Sequence, residues 1–61
     1  MHTNAAAKLT RIVARDELAD ITARLAVITD ELVISAPQAS RLANAARRCA
    51  GAAVSNLTSE L

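Results

Sequence analysis

Four sets of residues have the chemistry for a site: the lone histidine His2, the lone cysteine Cys49, the acidic run Asp16, Glu17 and Asp20, and the arginines Arg41, Arg47 and Arg48. A histidine works as a general base only where a carboxylate orients it and a nucleophile lies in reach. His2 has no such partner nearby and reads as a terminal residue. Cys49 falls among alanines on an apolar face and is expected to be a buried, inert thiol, with a disulfide across a dimer axis as the lesser alternative. The acidic run could hold a cation, but a solvated helix face is its commoner use, and no Glu-x-x-His motif accompanies it. One cysteine excludes an intrachain disulfide, and one cysteine with one distant histidine falls short of a zinc set. Asn56-Leu57-Thr58 matches a glycosylation sequon, which means little without a secretory signal. A non-enzyme with no cofactor and no metal is expected.

The arginines are the strongest remaining signal. Arg41, Arg47 and Arg48 fall on or beside the polar face of the second half of the chain, while Lys8, Arg11 and Arg15 cluster near its start. Guanidinium groups hold phosphates or carboxylates through paired hydrogen bonds, and a symmetric dimer would double each set. Against a nucleic-acid partner stand the absence of any Phe, Trp or Tyr and a net charge of only +1, because single-stranded bases usually stack on aromatic rings. The plainer reading is that these arginines keep an apolar chain soluble.

The elements that must position these groups are helical. From Asn4 to Ile34 there is no Gly or Pro, and Leu18, Ile21, Leu25, Ile28 and Leu32 recur at alternating steps of three and four, a heptad seam. Ser35-Ala36-Pro37-Gln38 reads as a capping box around a proline suited to a first helical turn. Ala36, preceding that proline, is pushed out of the helical region. The spacing predicts a single domain over residues 1–61, with a helix over 4–34, a corner at 35–37 and a helix over 37–57. On the second helix Ala39, Leu42, Ala43, Ala46, Cys49, Ala50, Ala53, Val54, Leu57 and Leu61 share one side, expected to be buried. Ser40, Arg41, Asn44, Arg47, Arg48, Ser55 and Ser59 share the other. Asp20 and Arg24 form an i, i+4 pair, and Asp30 or Glu31 is expected to meet Arg41 across the corner. Leu9 and Val13 lie off the main seam, so Asp16 could start a fresh helix and leave residues 4–15 as a separate short one.

The fold class expected is all-α: a hairpin of two long antiparallel helices. A 61-residue chain buries only ~60% of its unfolded surface and is marginal alone. With 52% hydrophobic and 21% charged residues, this one has more apolar surface than a hairpin hides. Leu9, Ile12, Val13, Val27 and Ile34 lie away from the main seam and are the expected interface with another copy or a partner, most simply in a dimeric four-helix bundle. In outline the chain resembles the Rop-type hairpins of plasmid copy-number control, a likeness of architecture over the whole length. It implies a homodimeric bundle that binds paired RNA loops. Rop-like proteins expose an aromatic on the RNA-binding face, which this chain lacks, so no site residues carry over. The outline is also similar to small phage or mobile-element proteins that block a host protein.

No apolar run approaches the ~18 residues of a membrane span, and "MHTNAAAKLTR" lacks the apolar core of a secretory signal, so a membrane partner is not expected. Asp16 is the first acid, which raises a mitochondrial presequence as a minor alternative; the cytoplasm is the expected setting. The function expected is therefore an oligomeric protein-interaction module that regulates, inhibits or bridges another protein. The alternative is Rop-like binding of nucleic acid or a nucleotide through Arg41, Arg47 and Arg48.

Overall fold

The computed structural model describes residues 5–61. Helix α1, Ala5–Ser35, and helix α2, Pro37–Ser59, pack against each other as an antiparallel hairpin. The radius of gyration is 14.7 Å and the extents are 53 × 13 × 11 Å, against a radius of roughly 10.5 Å for a compact domain of this length. The molecule is a rod two helices wide.

The corner is a single residue. The Ala36 amide donates to the Leu32 carbonyl at 2.8 Å and closes α1, while its carbonyl accepts from the Ser40 amide at 2.9 Å and opens α2. Ala36 takes φ −151° and ψ 71°, as the crowding of a following proline requires. Pro37 occupies the first turn of α2, where its missing N–H leaves nothing unsatisfied. The expected capping box does not form: Ser35 remains helical as the last residue of α1, so the cap position falls on Ala36, which has no side-chain acceptor. α1 also runs unbroken through Asp16, so residues 5–15 are not a separate helix. Its lack of Gly and Pro and its run of alanines favour continuation over a restart.

The packing seam differs from the one expected. In α1 the partly buried positions Arg11, Arg15, Leu18, Thr22, Leu25, Thr29 and Leu32 recur at steps of four and three. Leu18, Leu25 and Leu32 belong to it, but Ile21 and Ile28 flank it at 44% and 42% exposure. On α2 the seam runs Ser40, Ala43, Arg47, Ala50, Val54 and Leu57, while Ala39, Leu42, Ala46 and Cys49 lie outside and exposed. The reason is the tight corner. A one-residue connection holds the helix axes close, and there the Ser40 hydroxyl donates to the Thr29 carbonyl at 2.7 Å. On α2 the short side chains Ser40, Ala43 and Ala50 supply the seam opposite the leucines of α1. The Thr22 and Thr29 hydroxyls enter cheaply because each donates to its own helix, to the Leu18 and Leu25 carbonyls at 2.7 Å. Ser40, at 5% exposure, is the only buried residue among those described, and no apolar side chain among them is buried.

Candidate functional site

Two helices with one shared seam leave two broad faces. In an antiparallel pair, the residues just before the seam positions of each helix lie on the same side of the hairpin, and those just after lie on the other. The first face therefore carries Ile21 and Ile28 from α1 with Ala39, Leu42, Ala46 and Cys49 from α2; Leu42 is 68% exposed. Its outer edge on α1 bears Glu17, Arg24 and Glu31, all exposed. The same edge holds an open hollow of about 370 Å³ lined by Leu9, Thr10, Val13, Ala14 and Glu17.

The opposite face carries Ile12, Ala19, Ala26 and Val33 from α1 and Arg41 and Arg48 from α2. Arg41 and Arg48 are exposed and make no ion pair among the described residues. Arg47 does not join them. It turns toward the seam, where its Nε and Nη2 donate to Asn44 Oδ1 at 3.1 and 2.7 Å. The expected arginine set is thus split into two free guanidinium groups and one tethered group. The pairing of Asp30 or Glu31 with Arg41 does not form among the described residues, whereas Arg24 meets Asp20 at 2.9 Å. At the far end Arg15 pairs with Asp16 at 3.1 Å, and Arg11, partly buried, leaves its Nε without a hydrogen-bond partner among the described residues.

Of the expected interface residues, Val13, Val27 and Ile34 stand multiples of seven apart on one stripe of α1, with Leu9 and Ile12 to one side of it. Leu9, Val13, Val27 and Ile34 are 61%, 47%, 57% and 91% exposed, while Ile12 is partly buried. Sequence reasoning missed Ser40, Thr22 and Thr29 as seam residues, and Ile21, Ile28, Leu42 and Cys49 as surface. The signal for them was the spacing of small residues next to a one-residue corner. Among the described residues no three His, Cys, Asp or Glu side chains converge on a point where a metal could be held. His2 lies outside the described residues. No described helix is long and apolar enough to cross a membrane.

The fold and its faces define an all-α helical hairpin. Comparison with protein-family models, with curated proteins and with solved structures returned no match.

Proposed function

We propose that this chain is a non-enzymatic helical interaction module of the cytoplasm, which self-associates and regulates, inhibits or bridges a partner protein, in the manner of a small phage or mobile-element regulator. One observation carries the reading: the described residues bury no apolar side chain, while Leu9, Val33, Ile34 and Leu42 stand 58–91% exposed. The chain exposes 4340 Å², against about 3800 Å² for a compact protein of its mass. An excess of roughly 550 Å² is comparable to the ~800 Å² each partner contributes to a standard interface. A helix face of this kind is what helix-in-groove recognition uses.

The test begins with size exclusion and light scattering of the intact chain. Aspartate at Leu9, Val13, Val27 or Ile34 is then expected to lower the mass or abolish capture of the partner. Variants that keep both wild-type mass and wild-type activity overturn the reading.

A second reading rests on Arg41 and Arg48, which are exposed and make no ion pair among the described residues, as a phosphate-binding pair would be. Nucleic-acid or nucleotide binding through them would weaken steeply with salt. An Arg41 and Arg48 double alanine variant that binds as well as wild type removes it.

A further inference from the structure

We propose that the occupant of the face bearing Ile21, Ile28 and Leu42 is a second copy of this hairpin, docked antiparallel so that the corner of each copy lies over the free ends of the other. The proposal rests on the self-association read above and adds its geometry. Two observations on that face lead to the same register. First, Glu17 and Arg24 lie one heptad apart along its outer edge, both exposed and opposite in sign. Glu17 has no ion pair among the described residues. Arg24 donates one Nη to Asp20 at 2.9 Å and retains further N–H groups, since a guanidinium has five. A two-fold axis crossing α1 between Asp20 and Ile21 sets Glu17 level with the partner's Arg24, and by symmetry Arg24 level with the partner's Glu17.

Second, that same axis sets Val13 level with the partner's Ile28. Val13 is in the hollow of about 370 Å³, and Ile28 is a 42% exposed side chain on the same face. Each copy then fills the other's hollow, an isologous contact that closes on itself. The parallel alternative, with corner over corner, lays α1 on the partner's α2. It would lay Glu17, Arg24 and Glu31 along the uncharged stripe of Ala39, Leu42, Ala46 and Cys49, with no ion pairing gained. In the antiparallel arrangement the alanine-rich stripe of α2 meets its own copy, and side chains that short allow close helix approach. Arg41 and Arg48 stay open on the opposite face, available to a further partner.

The experiment uses two charge reversals, Glu17→Arg and Arg24→Glu, in the full chain. Each alone sets like charges level with each other twice per dimer and is expected to weaken homodimerisation roughly tenfold by analytical ultracentrifugation. Mixed in equal amounts, the two variants restore opposite charges at both positions and are expected to form the one-to-one heterodimer in preference to either homodimer. Native mass spectrometry reads the species directly, and circular dichroism confirms that each variant is helical. Maleimide labelling of Cys49 gives a second readout: the rate is expected to fall as wild-type concentration rises through dimerisation. Heterodimers at no more than the statistical proportion, or a Cys49 rate independent of concentration, overturn this geometry while leaving self-association intact. A wild-type chain monomeric at all concentrations overturns both.

Discussion

Ser40 shows how a polar residue comes to occupy the most buried position among the described residues. Its hydroxyl bridges the helices at 2.7 Å, replacing the contact area that a larger side chain would have supplied at the cost of separating them. Ser40→Ala is expected to cost about 1 kcal/mol, the typical net value of one such bond. Ser40→Leu is expected to cost more, about 1–3 kcal/mol, because the added volume has nowhere to go. Urea titrations followed by circular dichroism separate the two, and a Leu variant as stable as wild type would mean the corner is looser than the Ser40 to Thr29 distance implies. Gly51 is the converse case. α2 runs straight through it, and a Cβ there meets nothing within 4 Å. Gly51→Ala is therefore expected to stabilise the chain by about 1 kcal/mol through helix propensity alone, read in the same titration.

At the scale of the helices, what was legible in the sequence was their existence and their join. Freedom from Gly and Pro over most of α1, and Pro37 behind a non-helical Ala36, suffice for two helices and a sharp corner. The rotation of each helix about its axis was not legible. α1 carries apolar residues on several sides, and on α2 the apolar stripe is wider than one neighbour covers, so hydrophobicity alone permits several pairings. The corner decides among them: the Ser40 to Thr29 hydrogen bond beside it fixes the rotation of α2, which turns Ser40 and Arg47 inward and Leu42 and Cys49 outward. Leu25 and Ile28 make the consequence measurable, since both belonged to the expected seam and only Leu25 is in it. Leu25→Ala is expected to destabilise the hairpin by about 1–2 kcal/mol at every protein concentration, the lower part of the range for leucine truncation because the residue is only partly buried. Ile28→Ala is expected to act mainly through association, so that its effect grows with concentration. Equal effects of the two variants at high dilution would restore the seam drawn from periodicity.

For the whole molecule, the absence of any buried apolar side chain among the described residues is the observation behind the proposed assembly. A rod 53 Å long and two helices wide has no interior beyond the seam, so the rest of its apolar surface leaves water only when something lies against it. On the proposed self-association, helical propensity and one partly buried seam stabilise the isolated hairpin only marginally. Unfolding of a chain that associates as proposed is a bimolecular equilibrium, and its midpoint moves with protein concentration. Thermal melts by far-ultraviolet circular dichroism across a hundredfold concentration range are expected to shift upward in Tm by several degrees as concentration rises, with one transition throughout. A Tm that does not move would mean that the hairpin stands alone on its seam. The exposed isoleucines, valines and leucines would then await a partner of different sequence. A moving Tm, together with the heterodimers of the charge-reversed pair, would instead identify the chain as its own first partner and leave the Arg41 and Arg48 face for the second.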